Sequence, residues 1–235
     1  MTDIYFIRHG QASFGERNYD QLSERGRDQA FLLADYLIDM EAYFPVVFSG
    51  SKRRQMETAT PIVSRLKEND VGTRLLIFPG LDEFDISPLL HHCREDMLQG
   101  DPSLAGDLKH CFSDFRCFQR TFTKVMLWSL SQKITDPNIE SFYQFKHRVR
   151  TAVETIVNES RAYKKVAAVT SGGVLALLMQ MNQGLSDRQA IDHVWSFYNT
   201  SVTIFYAAEG VMELKLKNSV THLNGPSRQD LLTYV

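Results

Sequence analysis

The stretch Asp3-Ile4-Tyr5-Phe6-Ile7-Arg8-His9-Gly10-Gln11 decides how this chain reads. Its β-branched and aromatic residues predict a buried central strand. Gly10 then lets the backbone turn without a Cβ penalty, leaving Arg8 and His9 at the strand's C-terminal edge, where open α/β sheets place their ligands. Imidazole is a nucleophile that is largely neutral near pH 7, and a neighbouring guanidinium disfavours its protonation while gripping phosphoryl oxygens in a fork. The residues outline a phosphate site. Arg-His-Gly by itself is commonly a solvated strand end, so the weight falls on the rest of the chain.

At 235 residues, 43% hydrophobic and 23% charged, the chain is long enough to bury one full core as a single domain over 1–235. A net charge of -2 gives no overall bias toward nucleic acid, so an anionic substrate needs a local cluster of positive charge. Cys93, Cys111 and Cys117 are odd in number and lack CxxC spacing, which suits reduced thiols in a cytoplasmic protein. No apolar run has the length of a membrane span, and no basic, signal-like segment precedes the first strand.

Further along, Ser23 can cap a helix whose apolar positions Ala30, Leu33, Ala34, Leu37 and Ile38 share one face. Phe44 to Ser49 and Arg74 to Phe78 read as short strands. Between them a helix starts near Lys52, and Pro61 is expected to kink it or end its first segment. From about 86 to 138 the pattern becomes a helical insertion, expected to lie over the site. Its stripe of Phe112, Phe115, Phe118, Phe122, Val125 and Met126 reads as a packing face. Another helix carries Phe142, Phe145, Val149, Ala152, Val153 and Ile156. Lys165 to Thr170 is a strand running into Ser171-Gly172-Gly173 and the helix Val174 to Met181, a junction suited to an anion. Val202 to Ala207 and Met212 to Lys217 read as a hairpin around Glu209-Gly210. The fold class is α/β, with a mainly parallel central sheet and helices on both faces.

Four blocks together resemble the histidine phosphatase superfamily, the group that includes phosphoglycerate mutases. Ile7 to Gln11 looks like its nucleophile motif. Leu22-Ser23-Glu24-Arg25-Gly26-Arg27-Asp28-Gln29-Ala30 is similar to its Leu-Thr-x-x-Gly-x-x-Gln-Ala helix opening. Ser49 to Ala59 resembles the Ser-x-x-x-x-Arg-x-x-x-Thr-Ala block, and Leu81-Asp82-Glu83 the Leu-x-Glu that brings in an acid. The resemblance spans residue 3 to about 222, the insertion left out. It implies a phosphoglycerate mutase-like fold and a metal-independent phosphomonoester hydrolase without a cofactor. His9 would form a phosphohistidine, Glu83 would act as acid and base, and Arg8, Arg54, Ser171, Gln11 and Gly172 would bind phosphate. The implied partner is a small phosphorylated substrate or a phosphoprotein, with neither nucleic acid nor membrane.

Two departures matter. The family's Gly-x-x-x-Gly type pattern after the Glu is not seen. Ser171 stands where the family has a second histidine, and a hydroxyl brings one donor but no charge, so reduced yet nonzero activity is expected. His91, His92, His147, His193 and His222 are the histidines that could fill that place. Three other readings stay open. A serine hydrolase would use Ser171, although Val169 breaks the Gly-x-Ser-x-Gly elbow. A noncatalytic phosphate-binding or regulatory protein would keep the arginines alone. A mutase-type phosphotransferase would use the insertion as a lid.

Overall fold

The computed structural model describes residues 1–16, 18–208, 211–225 and 228–234. Among these, six strands form one sheet in the order β3-β2-β4-β1-β5-β6. They are β1 (Thr2–Arg8), β2 (Val46–Ser49), β3 (Arg74–Ile77), β4 (Lys165–Thr170), β5 (Val202–Ala208) and β6 (Val211–Ser219). The first four run parallel, and β5 and β6 add an antiparallel edge. The turn expected at Glu209-Gly210 lies outside the described residues.

The central strands alternate in two directions, as a pleated strand with both faces covered must. Ile4 and Phe6 of β1 join one apolar cluster, whereas Ile7 joins the other. The second cluster is closed by α1 (Glu24–Asp39) and α2 (Arg53–Glu68), through Leu33, Leu37, Ala59, Ile62 and Leu66. The first is closed by α3 (Ile86–Gly100), α4 (Ala105–His110), α5 (Phe115–Ser129), α6 (Phe142–Glu159), α7 (Gly172–Gln183) and α8 (Asp187–His193). The fold is α/β, a mainly parallel sheet covered by helices on both faces.

Helix termini follow their capping residues. Ser23 Oγ accepts from Gly26 N at 3.0 Å, and Ser141 with Gln144 forms a capping box at the start of α6. The helix end expected at Pro61 is not realised: α2 continues through it to Glu68. Losing one intrahelical bond there costs about 3 kcal/mol, whereas burying Ile62 and Leu66 to about 1% exposure returns roughly 1.5–3 kcal/mol each. Helix α8 had no clear apolar period in the sequence. It begins at a Ser186–Gln189 capping box, a signal that could have located it.

The connections place the site. β1 leads to α1 on one face of the sheet, and the adjacent β4 leads to α7 on the other. Neighbouring strands that send their chains to opposite faces leave a crevice at their C-terminal ends. Arg8 and Thr170 sit in register at that edge.

Candidate active site

His9 follows β1 with its backbone fixed from three sides. Its N–H donates to Thr170 O at 2.9 Å, while its carbonyl accepts from Asn199 Nδ2 at 3.1 Å and Thr200 N at 3.3 Å. The ring is 4% exposed. Nδ1 lies 2.7 Å from Gly10 O, which can only accept, so Nδ1 carries the proton. Nε2 is therefore the basic nitrogen, and it receives Arg54 Nε–H at 3.2 Å. Burial, then Arg54, then Arg8 push this imidazole well below its ordinary value of 6.5. It is held neutral, as an attacking nitrogen has to be.

Two glycines let the chain come close here. A Cβ on Gly10 would stand 2.5 Å from Gly26 O, and one on Gly26 would stand 2.1 Å from Gln11 O. The loop after β1 thus crosses the first turn of α1 at backbone contact. Thr58 supports the same turn, accepting from Gly10 N at 2.9 Å and donating to Arg54 O at 2.8 Å.

Arg8 is buried beside His9. Nη1 donates to Phe197 O, and its buried Nε has no partner among the described residues. Burial lowers this guanidinium to about 10, with the Glu83 charge opposing the fall, so it stays cationic at neutral pH. Arg54, from the first turn of α2, spends Nη1 on Asp20 Oδ1 at 2.5 Å and stacks 5.5 Å from the Tyr19 ring centroid. Both guanidiniums converge on one imidazole.

Of the three carboxylates after β3, the structure separates the roles. Asp82 clamps Ser51 N and Oγ, at 2.6 and 2.5 Å. Asp85 caps α3 by accepting from Ser87 N. Glu83 faces the cavity, its two oxygens accepting from Phe84 N and Gly173 N, each at 3.0 Å. Arg148 donates to the carbonyls of Pro79, Gly80 and Asp82, which holds that loop against α6.

Arg8, His9, Arg54, Glu83 and Gly172 line one cavity of about 340 Å³. Two expected phosphate ligands stand apart from it. Gln11 accepts from Ser23 Oγ at 3.0 Å and lines a neighbouring groove. Ser171, fully buried at the N-cap of α7, accepts from Gln55 Nε2 at 2.9 Å. The same Gln55 Nε2 also donates to Leu81 O at 3.0 Å, which ties the start of α7 to the loop after β3. None of the five alternative histidines lines the cavity. His222 instead sits behind His9, its Nε2 2.8 Å from Thr200 Oγ1.

Sequence reasoning missed Gln55, Asn199, Thr200 and Asp20. Gln55 lies inside the Ser49–Ala59 block and could have been flagged by that alone. Asn199 and Thr200 carry no local signal, since their role depends on β5 lying beside β1.

A model of the histidine phosphatase superfamily (branch 1) matches residues 4–220. The chain belongs to that family. The chain also shares its fold with solved structures at low identity. YhfR of Bacillus stearothermophilus is 23% identical with a TM-score of 0.64, covering 94% of this chain and 99% of that one. A phosphoserine phosphatase from Entamoeba histolytica, in complex with phosphoserine, is 18% identical with a TM-score of 0.65, covering 95% and 100%. A mycobacterial glucosyl-3-phosphoglycerate phosphatase is 19% identical with a TM-score of 0.62, covering 95% and 100%. No curated protein matches the chain. Among its described residues, no helix is long and apolar enough to cross a membrane.

Proposed function

We propose that this protein hydrolyses phosphomonoesters through a phosphohistidine on His9. The observation that carries the reading is the His9 ring itself: neutral, anchored through Nδ1, and turned with Nε2 toward Arg54 inside the cavity. Membership of the superfamily and the phosphatase names of the fold's neighbours support it.

In the first step the phosphoryl group enters between His9 and Arg54. Arg54 Nε–H transfers its hydrogen bond from His9 Nε2 to a phosphoryl oxygen, which frees the lone pair for attack on phosphorus. The unpartnered Nε–H of Arg8 supplies a second donor. The Gly172 N–H at the α7 terminus supplies a third, with the helix dipole favouring the anion. Phosphoryl transfer asks for this positioning and charge neutralisation more than for covalent help.

As the N–P bond forms and the P–O bond breaks, the departing oxygen takes a proton from Glu83. A water then attacks phosphorus, gives its proton to the Glu83 carboxylate, and returns His9 to its neutral form with inorganic phosphate released. Ser171 contributes by fixing Gln55 and the start of α7. The missing second histidine costs one charged donor, so turnover is expected below that of a site that has it.

The burial of Ser171 also favours a second reading, a phosphate-binding protein without turnover. The test is a panel of phosphorylated metabolites and phosphopeptides with wild type and His9→Ala. Turnover by wild type alone supports catalysis; phosphate binding without turnover of any member supports the binding reading.

A further inference from the structure

The cavity that holds His9 is walled by aromatic rings that the phosphoryl chemistry does not use. Phe14 comes from the loop after β1, Phe115 and Phe118 from α5, and Trp195 from the 3-10 turn Val194–Ser196. The rings form one continuous set: Phe14 lies 5.6 Å from Phe115 and 5.5 Å from Phe118, and Trp195 lies 5.7 Å from Phe115 and 6.0 Å from Phe118. Trp195 is oriented by its Nε1–H donating to Thr123 Oγ1 at 3.1 Å. The stripe on α5 thus divides: Phe122, Val125 and Met126 pack into the core, while Phe115 and Phe118 remain half-buried at the cavity.

Charge at the same walls points the same way. With Arg8 and Arg54 given to the phosphoryl group, the described lining residues leave Lys52 as cation against Glu16, Asp20 and Asp85. A substrate with a second anionic group would meet those carboxylates. An uncharged ring would meet other rings. Concave sites lined by aromatic groups with a few convergent polar atoms bind ligands of matching apolar body.

Resting on the hydrolase reading above, we infer that the substrates are phosphomonoesters whose leaving alcohol carries an aromatic body and no second anionic group. Leaving-group reactivity is kept constant by comparing alkyl esters: 2-phenylethyl phosphate, ethyl phosphate and 3-phosphoglycerate. The inference expects kcat/KM for the phenylethyl ester to exceed that for either of the others by about tenfold or more, the scale on which an apolar pocket discriminates. In Phe115→Ala the phenylethyl-to-ethyl ratio should fall to about twofold. Phe115 is half-exposed, so its loss should leave the fold intact, and a circular dichroism spectrum checks that.

Binding of 3-phenylpropylphosphonate against propylphosphonate, measured by calorimetry, separates the two layers. Tighter binding of the phenyl compound by about tenfold, with no ester turned over, upholds the aromatic preference and overturns the hydrolase reading. Turnover with equal kcat/KM for phenylethyl and ethyl esters, or a preference for 3-phosphoglycerate, overturns the aromatic preference and leaves the hydrolase reading standing.

Discussion

Arg54 Nε stands 3.2 Å from His9 Nε2, a guanidinium donating to the nitrogen proposed as the nucleophile. The contact both orients the ring and holds its proton affinity down, because a cation beside the ring opposes a second positive charge. The acid limb of the pH–rate profile should therefore lie well below 6.5, with activity lost only as pH falls far enough to protonate His9. In Arg54→Gln the acid limb should move upward in pH, since one of the two lowering charges is gone. The substrate's own ionisation is common to both proteins, so a limb at the same pH in wild type and variant would argue that Arg54 does not tune the ring.

Asp20 takes one arm of the same guanidinium, at 2.5 Å. Its half-exposed carboxylate competes with a phosphate dianion for Arg54. Asp20→Asn should tighten competitive inhibition by inorganic phosphate by roughly tenfold, the order expected from removing a partly screened charge. A weaker inhibition constant would mean that Asp20 serves chiefly to position Arg54.

Glu83 is tested by how much help the leaving group needs. Glu83→Gln should lower kcat for an alkyl phosphate by about 10²- to 10⁴-fold, the usual worth of a positioned acid. For 2,4-dinitrophenyl phosphate, whose leaving group needs no proton, the loss should be far smaller. Equal losses for both esters would remove Glu83 from the role of proton donor.

Gly173→Ala probes the same carboxylate from the other side. A Cβ there would stand 2.1 Å from Glu83 Oε1, so the acid must be displaced. Turnover should fall toward that of Glu83→Gln, while phosphate inhibition changes little. Wild-type turnover in Gly173→Ala would show that the Gly173 N–H to Glu83 contact is dispensable.

His222 offers a stability prediction. Burial, then Arg228, lower its imidazole to about 4 from 6.5. The unfolded chain therefore binds a proton that the folded chain refuses between those values. The stability tied to neutral His222, at most about 3 kcal/mol, is present above pH 6.5 and is lost as pH falls toward 4. Thermal unfolding of His222→Asn should fall less steeply between pH 7 and 5 than that of wild type. Parallel pH dependences would place the titration elsewhere.

Much of this was legible in the residue pattern. Ile4, Phe6 and Ile7 announced a strand covered on both faces and Gly10 a turn after it, while the crossing of that turn with α1 at Gly10 and Gly26 emerged only from the structure. Arg8, His9, Arg54, Glu83 and Gly172 meet in one cavity although 163 positions separate Gly172 from His9 (172 − 9). The rest depends on strand order and side-chain length. Gln11 and Ser171 share the motif positions of phosphate ligands, yet Gln11 Oε1 accepts from Ser23 Oγ and Ser171 Oγ accepts from Gln55 Nε2. The aromatic stripe on α5 has one period in sequence, but Phe122, Val125 and Met126 are buried in the core whereas Phe115 and Phe118 stay partly exposed at the cavity.

The central claim is a covalent bond from phosphorus to His9. Rapid quenching of wild type during turnover of a radiolabelled phosphomonoester should trap label on the protein that is stable in base and labile in acid, as a phosphoramidate is, and His9→Ala should trap none. Hydrolysis without such label, or label that persists in His9→Ala, would contradict the account.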